Sequence, residues 1–397
     1  MKQSSFWLRT AIHAGVNSRG LIPELFRGMG ATRVVLFSDR GLDKAGIVQM
    51  VEEAFTMKQE GSGPELAGIY LDISQDAESS CVNAAVQYAR KQGADALLAV
   101  GGGSVLDTVK GVKYSLFKGL DDIKESISRG FLAETFPHAK AMGIPHISIP
   151  TTAGTGSEVS PIAVIYNEDL KVKANIINPF ISSDIAVLDP ELTVGLPPFI
   201  TAFTGMDALT HAIEALASPN ATSHTDAYAL QAIRLIEKNL VIAVNDGTNL
   251  EARMEMLQAS LMGITAFSFA LHAIPVHNFA HAYGALFRIP HGLANAVFLP
   301  VVMEHLPDLY IKKAGQLAEA LAIHTAGADQ KTLLHRSIEK IRQLRLLTGL
   351  PEDFSNYKIP EESLKKASAA VAADPSAINF PMSTQLIETI GQKVVPS

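Results

Sequence analysis

Between Leu257 and Phe287 the chain carries no Asp, Glu, Lys or Arg. A run of that length either crosses a bilayer or forms the inside of a protein. It also contains Gln258, Ser260, Ser268, His272, Pro275, His277, Asn278 and His281. So many polar groups facing lipid would be costly, and the segment therefore predicts a deeply buried helical core. Its histidines then become the central question, because an imidazole in an apolar setting needs a partner.

The 397 residues exceed one ordinary core, and two domains are expected. A composition of 47% hydrophobic and 18% charged residues excludes a disordered chain. A net charge of −7 disfavours nucleic acid and anionic membranes as partners. Cys81 is the one cysteine, which excludes an intrachain disulfide and a Cys-based metal cluster and suits a reducing compartment. Met1 to Gly15 mixes Lys2, Arg9 and polar residues without a continuous apolar core, so it does not read as a secretory signal. A cytoplasmic location is expected.

The first half alternates short apolar runs with helical patterns. Strands are predicted over 33–38, 66–71, 94–100, 143–149 and 185–188, and helices over 41–57, 77–92 and 105–116. This alternation predicts βαβ units and a largely parallel sheet. From Thr201 onward the pattern is almost wholly helical, over 207–217, 223–239, 250–273, 312–322 and 332–348. The boundary is placed near residue 190, where Pro190, Pro197 and Pro198 punctuate the chain. The expected organisation is an α/β domain over 1–190 and an all-α domain over 191–397.

Gly101, Gly102, Gly103 and Ser104 follow the third predicted strand and open a helical pattern containing Asp107 and Lys110. Such a turn lets backbone N–H groups approach a phosphate. A plain tight turn is the competing reading, and the usual G-x-G-x-x-G spacing is absent. A second glycine- and hydroxyl-rich loop, containing Thr151, Thr152 and Thr155, follows the fourth strand. Two such loops at successive strand ends point to a ligand there, as in open α/β sheets. Asp39 ends the first predicted strand; its carboxylate can accept from both ribose hydroxyls and would repel a 2′-phosphate. A helix N-cap is the competing role.

Asp207 and His211 are four apart on a helical pattern, and so are His277 and His281, while His291 lies at a turn after Pro290. Three imidazoles and one carboxylate around a divalent ion would satisfy the buried rings and leave a coordination position open. Glu214, one turn from His211, reads first as a solvated helix carboxylate and second as a group supporting a metal ligand.

The sequence resembles the iron-containing, or group III, alcohol dehydrogenases. The resemblance rests on Gly101–Lys110 (GGGSVLDTVK), Pro150–Glu158 (PTTAGTGSE), Asp189–Leu192 (DPEL), Thr204–Ala215 (TGMDALTHAIEA) and Val276–Asn295 (VHNFAHAYGALFRIPHGLAN). It implies a dinucleotide-binding domain followed by a helical catalytic domain, the architecture also found in dehydroquinate synthases. It implies that Asp207, His211, His277 and His291 ligate one divalent ion, iron by family, with zinc, nickel or cobalt suited to the same donors. It places His281 beside nicotinamide and substrate, Asp39 where NAD is selected, and Lys173 toward the nicotinamide ribose. It also implies a homodimer or larger homo-oligomer. The segment Ala266–Pro275 departs from the family pattern, being bulkier and slightly longer, which bears on substrate choice.

The activity so implied is reversible hydride transfer between a small alcohol and NAD, with the metal as Lewis acid and His281 as proton relay. The rivals are a maleylacetate reductase or another carbonyl reductase of this fold, a cyclase of the dehydroquinate synthase type, and a metal- or nucleotide-binding protein without turnover. The first lacks the full metal set, the cyclase has its metal ligands in another pattern, and the intact ligands and His281 argue against a protein without turnover.

Overall fold

The computed structural model describes residues 4–56 and 63–395. The chain divides into two units. One comprises Trp7–Thr152 and Gly156–Gly195, the other Met1–Phe6, Ala153–Thr155 and Leu196–Ser397.

Among the described residues the first unit contains nine strands: β1 (Ala11–Ala14), β2 (Arg33–Phe37), β3 (Glu65–Tyr70), β4 (Ala96–Gly101), β5 (Phe131–Ala133), β6 (His146–Pro150), β7 (Ile162–Asn167), β8 (Val172–Ile177) and β9 (Ile185–Leu188). Six of them form a parallel sheet in the order β1-β9-β6-β4-β2-β3. Parallel strands need crossovers, supplied in part by helices α1 (Ile22–Gly28), α2 (Arg40–Lys44), α3 (Ile47–Thr56), α4 (Ser79–Lys91) and α5 (Gly103–Lys118). Side chains alternate between the faces of a strand. Val34 and Leu36 of β2 therefore join a core with Phe26, Val51 and Phe55, while Val35 and Phe37 join one with Val82 and Val109. With both faces covered, β4, β6 and β9 are buried throughout.

The helix expected over 41–57 is two helices, α2 and α3, because Gly46 has φ +78°, which a right-handed helix does not contain. Its expected end, Met57, lies outside the described residues. β1, β5, β7 and β8 were not among the expected strands; β5, β7 and β8 form a separate sheet in which β7 and β8 run antiparallel.

The second unit contains α6 (Pro198–Ala217), α7 (Ser223–Asn245), α8 (Leu250–Ala270), α9 (Pro275–Phe287) and α10 (His291–His305), with further long helices over Gln330–Leu347, Ser363–Ala373 and Thr384–Val394. The charge-free run is largely buried and is not one span: α8 and α9 meet at 107°. Among the described residues no single helix is long and apolar enough to cross a membrane. Pro275 occupies the first turn of α9, where its missing N–H leaves no bond unmade.

α6 is buried along most of its length, and its neighbours come within backbone contact of it. A Cβ on Gly263 of α8 would lie 2.9 Å from the Ala208 carbonyl oxygen, and one on Gly292 of α10 would lie 2.5 Å from that of Phe203. Glycine is required at both places by proximity. Gly292→Ala should therefore destabilise the protein by about 1–3 kcal/mol, at about 2–4 °C of Tm per kcal/mol. Gly195→Ala, with open space around its Cβ, should leave Tm within a degree or so of the parent. Equal thermal denaturation curves for the two variants would show that the close approach imposes no constraint.

Candidate functional site

Asp207 and His211 stand one turn apart on α6, both buried. His277 lies in the first turn of α9, and His291 is the first residue of α10. A carboxylate oxygen of Asp207 and one ring nitrogen from each of His211 and His277 lie within 4.8 Å of one another. Asp207 Oδ1 is 3.8 Å from His277 Nε2 and 3.7 Å from His291 Nε2. The rings of His211 and His277 stack at 4.6 Å, with Phe267 against both.

His277 Nε2, the nitrogen that faces Asp207, is buried and makes no hydrogen bond. Leaving such an atom unsatisfied costs about 1–3 kcal/mol. A divalent cation among these donors would remove that cost, so the residues fit the metal that the resemblance implies. Burial pushes the His211 ring down to about 4 and the His277 ring down to about 3, despite the opposing charge of Asp207. Both rings are thus neutral at pH 7, the form in which imidazole binds a metal.

Glu214 is 1% exposed, which overturns its first reading as a solvated carboxylate. Its Oε2 lies 2.5 Å from His277 Nδ1, and its Oε1 accepts from the Val276 N–H at 2.7 Å. Burial pushes this carboxyl up to about 8, against the pull of those contacts. Neither partner of the pair is easily charged in so dry a place, and a nearby cation would favour the carboxylate. With Nδ1 engaged, Nε2 is the nitrogen left facing Asp207.

Two functional groups were missed from sequence. Asn295 Nδ2 donates to Asp207 Oδ1 at 2.6 Å and stands 3.2 Å from His291 Nε2. Its four-residue spacing from His291 on α10 was the available signal. Asp374 Oδ2 lies 3.0 Å from His281 Nδ1, at a separation of 93 residues that no local pattern reveals. His281 itself stacks on His291 at 5.3 Å.

In the α/β unit, β2, β4 and β6 are neighbours in the parallel sheet, so their carboxyl ends lie on one edge. That edge gathers Asp39, Gly101 to Ser104, Thr151 and Thr152. The Thr151 N–H donates to the Gly101 carbonyl at 3.0 Å, and Thr152 Oγ1 would touch a Cβ on Gly102 at 3.3 Å. α5 begins at Gly103 with no side chain capping it, which leaves its N-terminus suited to an anion. Asp39 does cap α2: its Oδ1 accepts from the N–H groups of Gly41 and Leu42 at 2.8 and 2.9 Å. Asp107 accepts from Ser157 Oγ at 2.5 Å and Lys110 Nζ at 3.2 Å, tying the second loop to α5. Lys173 pairs with Asp76 at 2.9 Å, and the Asp76 N–H donates to Ser104 Oγ at 3.1 Å. Thr155 falls instead in the helical unit, as does Gly154, which lies against Thr204.

Two family models match the chain: iron-containing alcohol dehydrogenase over residues 9–190 and Fe-containing alcohol dehydrogenase family, C-terminal, over residues 201–391. The chain is 34% identical over 346 residues to long-chain-alcohol dehydrogenase 1 of Geobacillus thermodenitrificans, covering 87% of this chain and 84% of that protein. It is 30% identical over 363 residues to the NAD-dependent methanol dehydrogenase of Bacillus methanolicus, covering 89% and 90%. Its fold matches a crystal structure of 1,3-propanediol oxidoreductase with a TM-score of 0.90 at 31% identity, covering 99% of this chain and all of the other.

The chain belongs to the iron-containing alcohol dehydrogenase family. The family's two models fall on either side of the change from α/β to helical structure, and the C-terminal one spans the buried histidines and both missed residues.

The Glu214–His277 bond carries a direct expectation. Glu214→Gln keeps the shape but removes the carboxylate, and should weaken divalent metal binding about 10–100-fold. Competition of zinc-loaded protein with a chelator measures this. An unchanged metal affinity would mean that Glu214 serves only to pack α6 against α9.

Proposed function

We propose that this chain is a metal-dependent, NAD-linked alcohol dehydrogenase that also runs as an aldehyde reductase, with Asp207, His211, His277 and His291 holding one divalent ion. One observation carries the reading: the buried, unpartnered Nε2 of His277 and a ring nitrogen of buried His211 gather around the buried carboxylate of Asp207. Family membership makes iron the first choice of metal, and the same donors suit zinc, nickel or cobalt. The α/β domain, residues 1–190, binds NAD through Asp39, Gly101, Gly102, Gly103, Ser104, Asp107, Thr151 and Thr152, with Lys173 near the ribose. Thr155 is the remaining cofactor residue, and the helical domain, residues 191–397, carries the reaction centre. The lone buried Cys81 suits a cytoplasmic enzyme.

When bound, the ion supplies Lewis acidity toward the substrate oxygen, and the nicotinamide exchanges the hydride. The chain's own residues do the rest. His211 and His277 are kept neutral by burial, so both offer lone pairs at physiological pH. Glu214 fixes the His277 ring, and Asn295 fixes the Asp207 carboxylate. Phe267 covers His211 and His277 and keeps water from them. His281 moves a proton between the substrate oxygen and solvent: its ring is 18% exposed, against 3% for His277.

The names of the relatives span methanol and long-chain alcohols, so the deciding assay uses a panel of primary aldehydes from one carbon upward. NADH consumption should be seen with some of them, disappear after chelation, and return on adding Fe²⁺ or Zn²⁺ under anaerobic conditions. Full activity in protein shown by elemental analysis to hold no metal would end this reading.

Cofactor choice gives a second test. Asn caps a helix as well as Asp, so Asp39→Asn keeps the start of α2 and removes only the charge. NADPH use relative to NADH should then rise at least about tenfold, the ratio that ~1.4 kcal/mol of lost repulsion gives. A wild-type enzyme that uses both cofactors equally would contradict this role for Asp39.

A further inference from the structure

His277 and His281 sit one turn apart on α9, and each gives its Nδ1 to a carboxylate from elsewhere in the helical unit, one buried and one part-buried. The partner of His277 is Glu214 on α6. The partner of His281 is Asp374, which follows the helix Ser363–Ala373 and opens the turn Pro375–Asn379. Asp374 Oδ1 accepts from Asn278 Nδ2 at 3.0 Å and from the Ser376 N–H at 2.8 Å. Its Oδ2 takes His281 Nδ1 at 3.0 Å. The carboxylate thus holds two residues of one face of α9, Asn278 and His281, to the start of the turn after Ser363–Ala373.

We propose that Asp374 is the positioning residue for His281, fixing the ring with Nδ1–H turned to the carboxylate and Nε2 as the proton-accepting nitrogen. This rests on the reading of His281 as proton relay. The contacts determine the tautomer. A carboxylate only accepts, so the nitrogen facing it must carry the proton. Burial pushes the Asp374 carboxyl up, but His281 and the hydrogen bonds from His281, Ser376 and Asn278 outweigh that and hold it below the usual carboxylate range. It is therefore an acceptor at neutral pH. A neutral ring then has its lone pair on Nε2 alone. The stack on His291 fixes the ring plane from the metal side. Two constraints thus define the orientation of a ring that also reaches solvent.

The test is a double-mutant cycle in metal-loaded enzyme, with NADH and propanal or a longer aldehyde that the wild type accepts. His281→Gln should lower kcat by about 10²–10⁴. Asp374→Asn, which keeps the shape and the Ser376 contact, should lower kcat by about 10–100-fold, with metal content and NADH affinity unchanged. In the His281→Gln background, Asp374→Asn should change kcat by less than about twofold, because a residue acting through His281 has nothing left to act on. Equal losses in both backgrounds, or full turnover by Asp374→Asn beside a slow His281→Gln, would overturn the inference and leave the relay reading intact. Full turnover by His281→Gln would overturn the relay reading itself. Should Asp374→Asn fail to accumulate folded, Asp374→Glu keeps the charge and displaces it by one methylene. It should show a smaller kcat loss that again vanishes beside His281→Gln, and a loss that persists there overturns the proposal.

Discussion

The carboxylate of Glu214 joins the fold to the chemistry. One oxygen accepts from Val276 in the first turn of α9, and the other meets His277 Nδ1. A helix start carries N–H groups without intrahelical partners and a partial positive charge, so an acceptor there is favourable. By placing that acceptor on α6, the chain fixes the entry of α9 and the ring orientation of its first histidine with one side chain. Asp207 and His211 lie on the same helix as Glu214. The supporting group and two candidate ligands therefore move as one rigid element, which is how a site keeps its distances.

Rigidity of that kind depends on how closely the other helices reach α6. Gly263 and Gly292 bring α8 and α10 against its carbonyl oxygens, at separations that would leave no room for a methyl group. Gly292 follows His291 directly, so the contact that seats α10 also sets where that ring begins. The absence of charge between Leu257 and Phe287, from the second turn of α8 through α9, follows from the same packing. Charged side chains could not be solvated there. A divalent ion bound among these imidazoles would offset the cost of burying a ring nitrogen without a hydrogen bond, and its affinity would then be coupled to folding.

Much of this was legible in local pattern. The strands β2, β3, β4, β6 and β9 are short β-branched or apolar runs bounded by turns, and the parallel sheet follows from their alternation with helices. The Asp207–His211 and His277–His281 pairs showed themselves by four-residue spacing. The glycine turns stood at strand ends, where open sheets bind ligands. What escaped was non-local or short. β5 has three residues, and β1 is an edge strand whose AIHA sequence carries little signal. β7 does alternate in burial, yet it belongs to a small separate sheet and not to the βαβ series that the rest of the domain suggested. Glu214 was visible on its helix, but its burial was not, because its partner arrives from α9. Asp374 precedes a proline and caps a turn, so locally it reads as a turn residue and nothing more.

His277 and His281 lie on one face of α9, yet their surroundings differ. His277 is enclosed by Phe267, Glu214 and the His211 ring, so its free nitrogen has no access to water. A nitrogen in that setting can hold a cation but cannot exchange protons with bulk solvent. His281 lies one turn further along, past the enclosure, with part of its ring exposed and its Nδ1 on a carboxylate of its own. The difference is set by depth along α9 and not by residue type. Pro275 starts the helix in the buried layer, and each turn of about 5.4 Å carries the chain outward. A single helix thereby delivers one imidazole to the dry interior and a second to its boundary with solvent.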